Sequence, residues 1–137
     1  MEIDTLRTRV RFTQYQRSTD FKMPAFDLPS LIATMKQSYK WTNGELNALI
    51  LFNSPNKQII LTAMHEGTEI ESYQSNDSIS LQVIEGKLRF HLRKDSVTLR
   101  KDQVMTLREH IKYRLTNQEE TIFLLTISNG IIKTANN

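Results

Sequence analysis

His65, His91 and His110 are the three imidazoles of a 137-residue chain that contains no cysteine. They lie in segments that read as neighbouring strands. Three neutral imidazoles converging from adjacent strands could hold a zinc, copper or iron ion. Strand parity opposes that arrangement. His91 alternates in phase with Arg89, and His110 with Lys112 and Arg114, so both rings are expected to face water. His65 closes its strand and is expected to pack or hydrogen-bond locally. A displaced site built from His65, His91 and His110 is kept as the fallback, with no metal as the first expectation.

The remaining reactive groups form no catalytic set. There is no nucleophile elbow, phosphate loop or metalloprotease helix. The paired acids Glu69 and Glu71, and Glu119 and Glu120, fall at or near turns and read as solvated charge. Arg93, Lys94, Arg100 and Lys101 bracket another turn, where a soluble tip is favoured over an anion site. With no cysteine there are no thiolate ligands, thiol nucleophiles or disulfides.

The elements that would position these groups are of two kinds. From Asp27, a helix is predicted: Asp27 can cap it, Pro29 suits its first turn, and Leu28, Leu31, Ile32, Met35 and Tyr39 share one face. Asn43-Gly44 ends the segment, and Trp41 is expected to pack it onto the body of the protein. After Gly44 the chain reads as nine short strands, LNALILF, QIILTAM, TEIESY, ISLQVI, KLRFHLR, SVTL, QVMTL, HIKYRL and TIFLLTI. Their connections are rich in Asn, Asp, Ser and Gly. Closely spaced strands with no interior helix exclude a parallel βαβ sheet and favour a sandwich or barrel.

Two faces of these strands differ. ISLQVI, KLRFHL and HIKYRL alternate apolar and polar residues, so one face is core and the other meets water. LNALILF, QIILTAM and TIFLLTI are apolar on both faces, which requires a cover on each side, either the helix or a second subunit. A homodimer is the expected assembly. In the N-terminal segment, Arg7, Arg9 and Arg11 alternate with apolar residues as on an edge strand with a basic outer row. The charge of +3, from 18 basic and 15 acidic residues, is too balanced to argue for nucleic acid. No apolar run long enough for a signal peptide or a membrane span occurs, so a cytoplasmic protein without membrane contact is expected.

The stretch LTAMHEGTEIESYQSNDSISLQVIEGKLRFHL, followed by VTLRKDQVMTLREHIKYRL and TIFLLTI, resembles the cupin family. The resemblance runs from about Leu46 to Ile127. It is carried by the Gly67-Thr68 pair opening one strand and by the V-I-E-G turn closing the next hairpin. It implies an all-β jelly-roll barrel, a double-stranded β-helix, with one N-terminal amphipathic helix. The expected organisation is an arm or edge strand over 1–26, a helix over 27–43, the barrel over 44–130 and a tail over 131–137.

Metal-binding cupins use two histidines and a carboxylate from a first motif and one histidine from a second. Aligned on Gly86, the resemblance puts Ile79 where the glutamate would stand and Tyr73 at a histidine. Tyr113 takes the place of the second motif's histidine, and Asp102-Gln103 that of a Gly-Asp pair. A neutral phenol, with a pKa near ~10, is a poor ligand beside imidazole or carboxylate. The barrel interior is therefore expected to lack a metal and any other cofactor. Tyr73, Ile79, Leu81, Val83, Leu88, Phe90, Tyr113 and Leu115 would line it and admit a small apolar or aromatic molecule. The competing reading is that the same side chains simply fill the barrel. The functional expectation is binding rather than catalysis. The alternatives are a metal-dependent oxygenase or isomerase with displaced histidines, or a ligand-sensing module acting with a partner.

Overall fold

In the computed structural model, residues 25–71 and 77–129 are described, with the backbone of 12–14. The expected arginine row at Arg7, Arg9 and Arg11, the tail over 131–137, and Tyr73 lie outside the described residues. Phe12–Gln14 forms a short strand, β1.

The helical segment is broken where the sequence predicts one continuous element. Helix α1 spans Leu28–Gln37 and α2 spans Tyr39–Thr42. Between them Ser38 is extended, with ψ 156°. It caps α2, its hydroxyl oxygen accepting from the Trp41 amide at 3.3 Å. The interruption changes the helical phase, so Tyr39 leaves the apolar face and is 79% exposed. Asp27 stands at the N-cap of α1, but its side-chain carboxylate accepts from the Ser30 hydroxyl rather than from a backbone amide. Trp41 is buried as expected.

After Gly44 the strands follow the alternating pattern closely. They are β2 (Asn47–Ser54), β3 (Lys57–Met64), β4 (Glu69–Glu71), β5 (Asp77–Glu85) and β6 (Lys87–His91). The return half comprises β7 (Ser96–Arg100), β8 (Val104–Leu107), β9 (Arg114–Thr116) and β10 (Thr121–Asn129). Pairing is nested: β3 joins β10, β4 joins β9, β5 joins β8 and β6 joins β7, all antiparallel. One long hairpin with its tip at β6–β7 is thus rolled up, and successive pairs fall in opposite sheets. The sheets have the orders β1-β2-β3-β10-β5-β8 and β4-β9-β6-β7, as in a jelly roll. No described helix is long and apolar enough to cross a membrane.

Inward residues of both sheets meet in one packed cluster. It includes Ile50, Ile60 and Met64 from the larger sheet and Ile70, Leu88, Phe90 and Leu115 from the smaller. A second cluster lies on the outer face of the larger sheet, where Ile32, Met35 and Trp41 cover Leu51, Leu61, Ala63 and Ile122. This explains the strands that are apolar on both faces. Neighbours Ile60 and Leu61 are each fully buried, one in either layer. The helices therefore supply the second cover over this region.

Loop geometry is held by a few polar groups. Asn117 is buried, and its side-chain amide donates to the carbonyls of His65 at 3.0 Å and Glu119 at 2.8 Å. Its side-chain oxygen accepts from the Thr68 amide at 2.9 Å. The Gly67-Thr68 pair is thus tied to the neighbouring β9–β10 connection. Lys36 of α1 pairs with Glu120 at 2.9 Å and Glu85 at 3.3 Å. Hydrogen bonding to Glu120 is the main reason its pKa lies above the ordinary lysine value. Glu120 is therefore an ion-pair partner rather than freely solvated charge. At the β7–β8 turn, Asp102 has φ +69° and donates its amide to Val83 O at 2.8 Å. It adopts the left-handed conformation that the glycine of a Gly-Asp pair would supply at less steric cost.

Gly86, between β5 and β6, has φ +85°, and a Cβ there would run into the Glu120 carbonyl and the Thr121 hydroxyl. Gly86→Ala is expected to destabilise by at least about 1–3 kcal/mol from the backbone conformation alone, read as a lower urea midpoint. An unchanged midpoint would show that the turn relaxes freely.

Candidate functional site

The interior residues expected to line a pocket are found at the centre of the packed cluster. Leu81, Val83, Leu88 and Phe90 are fully buried, with Leu115 at 1% and Ile79 at 8% exposure. Cross-strand register explains their convergence: Phe90 stands opposite Leu115, Val83 opposite Phe123 and Leu81 opposite Leu125. Tyr113 is the exception to this purely interior role. Its ring stacks on Phe90, with centroids 5.0 Å apart and planes 26° from parallel. It also lines an open cleft of about 750 Å³ where β6 ends and β9 begins.

The cleft has two chemical parts. Buried Tyr113 and half-buried Leu92 and Ile111 supply the apolar part. His91, Arg93, His110, Lys112 and Arg114 make the other part basic, with Glu71 as the carboxylate in the lining. Arg93 and Lys112 are exposed, whereas Arg114 reaches the Glu69 carboxylate at 3.3 Å. Glu69, like Glu120, is thus partnered rather than merely solvated.

The structure brings two of the three histidines together and leaves the third elsewhere. His91 and His110 line the cleft. His65 stacks on Trp41 with centroids 3.5 Å apart, and its Nε2 lies 2.9 Å from the Trp41 carbonyl. This is the local packing role expected of a strand-end histidine. The parity expectation holds for exposed His110, though its basis changes. β9 is only three residues long, and His110 has φ +67° in the connection before it. His91 is half-buried instead of facing open water, and its Nε2 lies 2.8 Å from the Thr116 hydroxyl.

The donor set does not fit a metal of the kind that metal-binding cupins hold. Ile79 offers no donor and sits in the core, while Tyr113 is engaged in the aromatic stack. His65 belongs to the helix-covered layer, and no group of three or more His, Asp or Glu able to hold a metal occurs among the described residues.

Leu92, Ile111 and Lys112 were not legible as site residues, and Arg93 was favoured as soluble charge over an anion site. Arg93 follows the end of β6 in a turn closed by Leu92 N donating to Asp95 O at 2.7 Å. Lys112 and Ile111 lie in the irregular connection that precedes β9. Alternation marks which face a residue takes but not which loop ends meet. A pair of basic loops flanking Tyr113 was the available signal, and in the sequence it is indistinguishable from solubilising charge.

No protein-family model matches the sequence, and no curated protein matches it. Solved structures do. A cupin-2 domain containing protein from Shewanella frigidimarina matches over 76% of this chain and 94% of its own, at 13% identity and a TM-score of 0.58. A cupin superfamily protein from Desulfitobacterium hafniense matches over 62% and 78%, at 13% identity and a TM-score of 0.60. The cupin-2 domain of an XRE family transcriptional regulator from Enterobacter cloacae matches over 61% and 95%, at 18% identity and a TM-score of 0.55. The chain has the cupin fold, an assignment that rests on structure.

Burial is the first cause that holds the His91 pKa below the ordinary histidine value of 6.5, followed by the positive charges of Arg114 and Arg89; Glu69 opposes them. The folded protein therefore binds fewer protons at His91 than the unfolded chain. Stability should fall as pH drops below about 6.5, until the folded-state pKa is passed. His91→Gln is expected to lose less stability than wild type between about pH 7.5 and about pH 5.5, measured by urea unfolding. A histidine titration placing His91 above 6.5 would contradict the burial argument.

Proposed function

We propose that this cupin-fold chain is a binding protein without a resident metal, taking a small organic molecule at the barrel mouth beside Tyr113. The observation that carries this reading is the cleft of about 750 Å³ joined to the Tyr113–Phe90 stack. Its size lies within the range usual for small-molecule sites, roughly 300–1,000 Å³. Aromatic and aliphatic surface together with a few polar groups are the usual ingredients of such a site. Tyr73, which lies outside the described residues, is proposed as a second ligand-binding phenol. The residues packed deeper, from Ile79 to Leu115, act as its support.

The runner-up is a sensory role with a partner protein. One structure of the same fold is the cupin-2 domain of a transcriptional regulator, and a cleft without a catalytic set suits sensing as well as storage. A metal-dependent oxygenase or isomerase is disfavoured by the scattered histidines. We further propose a cytoplasmic homodimer. The half-buried Leu49, Ile59 and Leu124 on the helix-covered face of the larger sheet extend an apolar surface that a second copy would complete.

A fragment library titrated into isotope-labelled protein should shift the backbone amides of Leu92, Ile111 and Arg114 and raise the melting temperature. Elemental analysis of the same preparation should find no stoichiometric transition metal. Fragments that leave every cleft amide unmoved, or a tightly held metal, would overturn the reading.

A further inference from the structure

We propose that the molecule taken by this cleft is an organic anion, with an aromatic or branched aliphatic body against Tyr113, Leu92 and Ile111 and an acidic group toward Arg93 and Lys112. The inference rests on the binding reading above and adds the charge class of the ligand.

Three observations support it. First, among the described residues the lining places the cations Arg93, Lys112 and Arg114 against the single carboxylate of Glu71. Second, these cations differ in what they already do. Arg114 is paired with Glu69, both about half exposed, whereas Arg93 and Lys112 make no ion pair or hydrogen bond among the described residues. Two cationic heads in the lining are therefore uncommitted. Third, His91 senses the field. Besides burial, the main cause of its lowered pKa, the cleft-lining Arg114 and the neighbouring Arg89 each disfavour its protonated form more than Glu69 favours it. The coulombic part of that effect, the positive potential of these arginines, favours a negative charge.

The apolar part argues against a bare inorganic ion. Tyr113 is buried, Leu92 and Ile111 are half-buried, and the three line the same space as the cations. An apolar body would cover their remaining surface. A guanidinium and an ammonium on separate loops, from 93 and 112, suit a carboxylate or a phosphate monoester, whose oxygens can accept from both. Exposed charge pairs are individually weak and screened by salt. The arrangement therefore predicts selectivity among ligands rather than great affinity.

The test uses the whole chain, labelled for NMR, with phenylacetate, phenylacetamide and inorganic phosphate as probes. Phenylacetate should move the amides of Leu92, Ile111 and Arg114, bind on the order of five- to tenfold more tightly than the amide, and raise the His91 pKa. Its advantage should shrink as NaCl rises from about 0.05 M to about 0.5 M. The exposed pair Arg93→Gln/Lys112→Gln should abolish the difference while leaving the melting temperature unchanged. Equal binding of phenylacetate and phenylacetamide at the cleft would overturn the anion assignment and leave the binding reading standing. Phosphate binding as tightly as phenylacetate would overturn the organic body. Probes and library alike failing to move the cleft amides would overturn both.

Discussion

Filling of the barrel by its own side chains is the constraint on which the remaining architecture depends. The inward residues of two sheets must occupy one space, and Leu81, Val83, Leu88 and Phe90 do so with no exposed surface. Packing of this kind excludes water and supplies most of the driving force for folding. It also determines where chemistry can occur. With an aliphatic residue at 79 and an aromatic stack at 90 and 113, polar groups are displaced to the rim, where strand pairing ends.

The rim is created by the same topology. Nested pairing brings the end of β6 next to the start of β9, so His91 stands opposite Arg114. The connections leaving these strands carry Arg93 on one side and Lys112 on the other, and Tyr113 lies between rim and core. A buried phenol that both stacks in the packed interior and lines the open cleft joins the two regions of this molecule. Its ring belongs to the core through Phe90, and its neighbours in the chain belong to the mouth.

A second layer completes the body from outside. Helix α1 and Trp41 cover one face of the larger sheet, and Lys36 anchors the helix to the two adjacent turns that carry Glu85 and Glu120. Those turns also approach each other at Gly86, where no side chain would fit. His65 is drawn into this layer by its stack on Trp41. The histidine farthest from the others in role is therefore held by the helix, while His91 and His110 serve the mouth.

Period-two alternation in segments such as ISLQVIEGKLRF determines strands and their inner faces, because successive side chains of a strand must point to opposite sides. The buried set from Ile79 to Leu115, the glycine at 86 and the doubly apolar β3 were legible on that basis. The helix was legible in existence but not in extent, since the break at Ser38 depends on Asn47, which donates its side-chain amide to the Ser38 hydroxyl and the Met35 carbonyl from another strand. Nor could alternation locate His110, whose positive φ takes it out of strand geometry, or Asn117, whose importance comes from carbonyls of a turn distant in the chain. The cleft belongs wholly to tertiary structure. Local pattern decides which way each side chain faces, but only long-range pairing decides that the loops carrying Arg93 and Lys112 end beside one tyrosine.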